Sequence, residues 1–263
     1  MTEVLNDQLK KKLRKLYLRD IAEYLDEALE KAQKQQLGYL PFLADIVDHQ
    51  LKARMGRSLE KRLKMASFPQ NMTFDNFDFN FQPSLNVEYL KDLMELSFVA
   101  KSQPLLILGK TGTGKTHIAA SLGILACQAH FKVQFFSLQK LLAILCTSLA
   151  DDTTDEIIDS LSRLDLLIID NVGNIRVKPE HPSLLLDLVS TCHNGTAFIV
   201  TSAISLEEWG SVLGNPAVTN AIIDRLLHRA GVINIRPGRS YRTEGPDAPD
   251  FPSGQSSSDY FDD

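Results

Sequence analysis

A chain of 263 residues, 44 % apolar and 23 % charged, has the composition of a globular protein with room for one α/β domain and a smaller appendage. No apolar run approaches the roughly 18 residues of a membrane span, and no apolar core follows the charged N-terminus, so neither a span nor a secretory signal is expected. The net charge of −5 conceals an asymmetry: residues 244–263 hold six acidic and no basic residues, whereas residues 1–65 hold 14 basic against 10 acidic.

In chain order, residues 3–66 read as helical. Leu13, Leu16, Tyr17, Ile21, Tyr24, Leu25, Ala28 and Leu29 form one apolar stripe at three- and four-residue steps. Gly38-Tyr39-Leu40-Pro41 interrupts it, and Pro41 suits the start of a second helix through Leu43, Ile46, Val47 and Leu51. That helix continues into Lys52, Arg54, Arg57, Lys61, Arg62 and Lys64, opposed only by Glu60. Phe68-Pro69 closes the helical zone, and the dense aromatics of 74–79 read as an ordered linker within 67–84. From about Leu85 strands and helices alternate: a helix over 85–100, then strands at 105–108, 132–137, 166–170, 196–202 and 232–235. Helices lie over 115–129, 138–149, 154–163, 182–192, 205–213 and 218–228. Five buried-type strands separated by helices predict a parallel sheet sandwiched by helices over 85–243. The acidic segment 244–263, rich in Pro and Ser, is expected to be disordered. Cys127, Cys146 and Cys192 lack ligand spacing and are expected to be buried, reduced thiols of a cytoplasmic protein.

Gly109-Lys110-Thr111-Gly112-Thr113-Gly114-Lys115-Thr116 fits the phosphate-binding loop pattern, and a strand precedes it and a helix follows it as that pattern requires. The glycines let the backbone wrap an anion with its N–H groups inward, and the following helix adds its positive end. Lys115 is expected on the β- and γ-phosphates of ATP and the Thr116 hydroxyl on Mg²⁺, with His117 counted among the nucleotide contacts. Leu166-Leu167-Ile168-Ile169-Asp170 is an apolar strand ending in a carboxylate that would hold the same Mg²⁺. In hydrolysing AAA+ ATPases a glutamate usually follows this aspartate. Here Asn171 follows, and an amide orients water but cannot take its proton, so roughly 10²–10⁴-fold of general-base catalysis would be missing. The polar residue expected near Ala203 is also absent, leaving Thr201 and Ser202 as stand-ins. Arg225, on the helix Ala221–Arg229, sits where oligomeric ATPases place an arginine that reaches a neighbour's γ-phosphate, although pairing with Asp224 fits it equally.

These pieces together resemble the IstB-type transposition helper ATPases, AAA+ relatives of the DnaC-type helicase loaders. The resemblance covers residues 10–243 and rests most particularly on Ser205-Leu206-Glu207-Glu208-Trp209-Gly210 and Gly238-Arg239-Ser240-Tyr241-Arg242. It implies a small helical N-terminal domain over 1–66, an AAA+ domain with no large C-terminal lid, and a bacterial cytoplasmic homo-oligomer with nucleotide at its subunit interfaces. It further implies assembly on double-stranded DNA and recruitment of a cognate transposase, with Arg225 at the trans-acting arginine position. Asn171 and Ala203 depart from the family's usual Glu and Asn, so weak hydrolysis is expected. The basic run from Lys52 to Lys64 suits sequence-independent phosphate contacts, and equally a solvated helix face. A helicase-loading adaptor is the alternative; in that reading the basic run is incidental.

Overall fold

The computed structural model describes residues 2–69, 72–173, 177–193 and 195–244; the segment expected to be disordered lies, from residue 245 on, outside them. The chain divides into two compact units, residues 1–61 and 62–263.

The first unit is helical, as expected, but contains a break the periodicity did not foresee. Helix α1 (Thr2–Lys15) ends at a tight turn and α2 (Arg19–Gln35) follows; α3 (Tyr39–Ala66) begins here, with Pro41 in its first turn. Tyr17 takes a positive φ of 60° at the break, and Leu16 and Tyr17 point to solvent instead of extending the apolar stripe. Ile21, Leu25, Ala28 and Ile46 form the core, with Leu13, Leu18, Tyr24 and Phe42 against them.

A buried carboxylate fastens α3 to α2. Arg57 Nη2 donates to Asp20 Oδ2 at 2.7 Å, Nη1 donates to Oδ1, and Gln50 adds a third donor. Arg57 above all holds the Asp20 carboxyl down at about 2. A depressed carboxyl contributes stability above its ordinary pKa near 3.8 and loses it as pH falls toward 2. Arg57 is partly solvated, which screens the pair, so Asp20→Asn is expected to cost about 1–2 kcal/mol at pH 7. Thermal unfolding at pH 7 and pH 2 checks this: the gap between wild type and variant closes at the lower pH.

In the second unit, α4 (Val87–Met94) and α5 (Ser97–Ala100) replace the single helix expected over 85–100, because Leu96 takes a φ of 61° and breaks it. Then come β1 (Leu105–Leu108), α6 (Lys115–Gln128), β2 (Val133–Ser137), α7 (Leu138–Ala150), α8 (Thr154–Ser162), β3 (Leu166–Val172), α9 (His181–Cys192), β4 (Ala197–Ser202), α10 (Trp209–Leu213), α11 (Pro216–Leu227), β5 (Gly231–Asn234) and α12 (Tyr241–Glu244). Residues 205–208, expected to be helical, form a turn in which the Ser205 N–H donates to the Glu208 carboxylate, so α10 starts only at Trp209.

All five strands are parallel, in the order β2-β3-β4-β1-β5. The predicted α/β class, a parallel sheet between helices, is the class found. Alternate residues serve opposite faces: Leu167, Ile169, Phe198 and Val200 join a core with α7, α8, α9, α10 and α11. Strand β4 separates the phosphate-loop strand β1 from β3. Leu108, Ser202 and Val172 align at one end of the sheet, the end at which parallel sheets bind ligands. Among the described residues only α12 follows β5, and no helix is long and apolar enough to cross a membrane.

Candidate nucleotide site

The loop Gly109–Thr116 joins β1 to α6. Two of its glycines carry positive φ, 81° at Gly112 and 91° at Gly114, a region closed to most side chains. A Cβ on Gly114 would lie 2.9 Å from the Phe77 ring, so the loop also needs glycine for space. The interior of the loop is self-braced. Thr113 Oγ1 donates to the Lys110 carbonyl at 2.8 Å, and Lys115 Nζ donates to the same oxygen at 2.7 Å. Lys115 is 8 % exposed, a buried ammonium held beside backbone that can exchange a carbonyl for a phosphate.

Beneath the loop, Thr116 Oγ1 lies 2.9 and 3.1 Å from the two carboxylate oxygens of Asp170, donating to that carboxylate. The structure thus brings together the two residues expected on the metal. A hydroxyl and a carboxylate converging in this way are hard oxygen ligands that suit Mg²⁺, which keeps most of its waters and takes few protein oxygens.

The second carboxylate partner is Thr201. Its hydroxyl donates to Asp170 Oδ1 at 2.6 Å and accepts the Asn171 N–H at 2.9 Å. Its single proton is therefore committed to holding Asp170. Ser202 is committed as well: its hydroxyl faces the Val172 and Ile204 carbonyls and accepts the Trp209 indole N–H at 3.1 Å. Neither hydroxyl is arranged as a stand-in for the missing residue at Ala203. Ser202 instead seats Trp209, which is 1 % exposed.

Asn171 is solvent-exposed and has a φ of 66°, at an irregularity in the pairing of β3 with β4. Asparagine enters this left-handed region more readily than other non-glycine residues.

His117, expected as a nucleotide contact, has its imidazole on the linker. One ring nitrogen lies 2.7 Å from the Thr73 carbonyl oxygen, and the ring meets Phe77 edge-on at 5.2 Å. Phe74, Phe77 and Phe79 pack on one another, so the aromatic linker is an ordered brace beside the loop. The half-buried Arg225 lies on α11, with Nη1 donating to the Ala221 carbonyl of the same helix at 3.0 Å.

Of the six basic residues on α3, two have structural partners. Arg57 holds Asp20, and Arg62 Nε donates to the Cys127 carbonyl at 2.9 Å. The latter contact belongs to the second unit, so the division between units falls inside α3, before residue 66. Lys52, Arg54, Lys61 and Lys64 are exposed. Burial pushes the Cys127 and Cys192 thiols up to about 11, which makes them inert, while Cys146 is only partly buried.

Residues 11–246 match the family model of the IstB-like ATP binding proteins. The chain is 34 % identical over 230 residues to a protein named as an ATP-binding protein of insertion sequence IS21 from Pseudomonas aeruginosa, covering 88 % of this chain and 86 % of the relative. It is 31 % identical over 235 residues to the corresponding protein of insertion sequence IS232 from Bacillus thuringiensis subsp. berliner, covering 89 % and 94 %. Among solved structures, the DnaC helicase loader superposes with a TM-score of 0.52 at 18 % identity, over 63 % of this chain and 98 % of that one. AMPPCP-bound DnaA from Aquifex aeolicus superposes with a TM-score of 0.54 at 20 % identity, over 67 % and 53 %. At these identities the two structures establish a shared AAA+ fold.

Proposed function

The chain belongs to the family of IstB-like ATP binding proteins, and we propose that it is an ATP-switched DNA clamp that serves transposition. ATP with Mg²⁺ occupies Gly109–Thr116. Loaded subunits assemble on double-stranded DNA, with Arg225 of each reaching the γ-phosphate held by its neighbour. The assembly then recruits a cognate transposase to the bound site. The observation that carries the nucleotide half is the convergence of Thr116 on Asp170 below a loop with a buried Lys115. The transposition half is supported by relatives named for insertion sequences.

Each residue has one task in this reading. Lys115 and the loop N–H groups bind the phosphates, Thr116 and Asp170 hold the cation, and Thr201 keeps Asp170 turned toward it. When bound, Mg²⁺ supplies charge neutralisation across the β- and γ-phosphates. Asn171 keeps the hydrogen-bonding capacity needed near the attacking water without its basicity, so turnover is slow and the ATP-bound assembly is long-lived.

The DNA contact is assigned to the exposed part of the basic run, Lys52, Arg54, Lys61 and Lys64. Phosphate contacts release counterions, so duplex affinity falls with salt at a log–log slope of about −0.9 per contact. Reversing these four residues to Glu is expected to flatten that slope by about 3.6 and to weaken binding equally on unrelated sequences. Arg57 and Arg62 are left in place in that variant, since changing them would disturb packing. Fluorescence anisotropy of labelled duplexes across a salt series reads the result. An unchanged slope assigns these residues to a solvated face. Tight ATP-dependent duplex binding in the absence of any helicase separates this reading from a helicase-loading adaptor.

A further inference from the structure

The segment after β5 returns along the outside of the phosphate-binding loop. The Ile235 N–H donates to the Leu108 carbonyl at 2.7 Å, and the Gly238 N–H closes a turn on the Ile235 carbonyl at 3.0 Å. Gln82, 3 % exposed in the linker, donates to the Arg239 carbonyl at 2.5 Å. The Arg239 guanidinium lies 4.9 Å above the Phe81 ring, and Tyr241 meets that ring edge-on at 4.8 Å. The segment ends on the loop itself: the Tyr241 N–H donates to the Gly112 carbonyl at 3.0 Å. Ser240 sits so close that a Cβ on Gly112 would collide with its hydroxyl oxygen.

The geometry points to residues 238–241 as a positioning strap that fixes the orientation of one peptide in the nucleotide site. In a trans peptide the C=O and the next N–H point opposite ways. Holding the Gly112 carbonyl outward therefore turns the Thr113 N–H inward. There it meets only the Lys110 carbonyl, at a long 3.4 Å, so it is readily given to a phosphate oxygen. Without the strap this peptide loses its outer anchor: a flip turns ψ of Gly112, which a residue without Cβ permits, together with φ of Thr113. A flipped peptide would present a carbonyl to the phosphates where a donor is needed. Tyr241 and Gln82 thus act through the loop.

This inference rests on ATP occupying the loop, and the test separates the two. Tyr241→Pro removes the N–H at the first position of α12, where proline is tolerated; Tyr241→Ala keeps the N–H and removes the ring. Gln82→Ala releases the strap at its other anchor without touching residue 241. ATP affinity by calorimetry, with apo melting temperature alongside, is measured for all three and for Lys115→Ala. The strap predicts about tenfold weaker ATP binding in Tyr241→Pro, equivalent to about 1.4 kcal/mol. It predicts a smaller loss in the same direction in Gln82→Ala, and a change of no more than about threefold in Tyr241→Ala. Wild-type affinity in both Tyr241→Pro and Gln82→Ala, with Lys115→Ala defective, overturns the strap and leaves the site standing. Equal losses in Tyr241→Pro and Tyr241→Ala also overturn it, since the ring would then be the cause. Wild-type affinity in Lys115→Ala removes the site and the strap together.

Discussion

Asn171→Glu is expected to raise steady-state ATP hydrolysis by about 10²-fold in the presence of saturating duplex DNA. In the proposed complex the residue after Asp170 would lie beside the γ-phosphate, and a carboxylate there could accept the proton of the attacking water. The change leaves Lys115, Thr116, Asp170 and Arg225 in place, so ATP affinity and neighbour contacts persist while the lifetime of the DNA complex shortens. The backbone sets a cost. Position 171 has a φ of 66°, and a residue other than Asn or Gly strains there by about 1 kcal/mol. The variant is therefore expected to be faster and slightly less heat-stable, and the two effects are read separately, by phosphate release and by thermal unfolding. Ala203→Asn should add a smaller gain, by orienting water without taking its proton. Vigorous wild-type turnover that Asn171→Glu leaves unchanged would mean that another residue is the base.

Lys115→Ala is expected to lower ATP affinity by at least about 100-fold. In the proposed complex the ammonium would make charge-assisted hydrogen bonds to two phosphates, each worth about 1.5–3 kcal/mol, and nothing else in the loop would replace a positive charge at that depth. The side chain also donates to the Lys110 carbonyl. Losing that bond costs about 1 kcal/mol, so the variant should fold. Sedimentation in ATP then distinguishes a folded protein that cannot assemble from one that has unfolded. Wild-type affinity in Lys115→Ala would sink the assignment of the loop.

Much of this site was legible in the sequence, because the chemistry is written in short contiguous runs. The loop Gly109–Thr116 and the strand ending at Asp170 each carry their own flanking strand or helix pattern, and the structure brings Thr116 and Asp170 together. Strand order was less visible. That β4 lies between β1 and β3 is a property of the whole sheet, and it places Thr201 against Asp170. The helix breaks at Tyr17 and Leu96 carry no Gly or Pro, so composition gave no signal for their positive φ. Charge alone could not sort the basic run either. Arg57 is drawn to a carboxylate on another helix and Arg62 to a carbonyl 65 residues away. His117 adjoins the loop in sequence but turns to the linker, since Thr73 and Phe77 form a partner for both its ring nitrogen and its face. The strap from Gly238 to Tyr241 was visible as a distinctive run of residues, and only the fold reveals that it ends on Gly112.

The nucleotide dependence of DNA binding tests the proposed clamp most directly. A labelled duplex is titrated with wild type in ATP and Mg²⁺, with wild type without nucleotide, and with Lys115→Ala in ATP and Mg²⁺, all at one stated salt concentration. An ATP-switched clamp gives tight, salt-sensitive binding in the first titration alone, with weak binding in the other two. Equal affinity in all three, or no duplex binding by the ATP-loaded wild type, would contradict it.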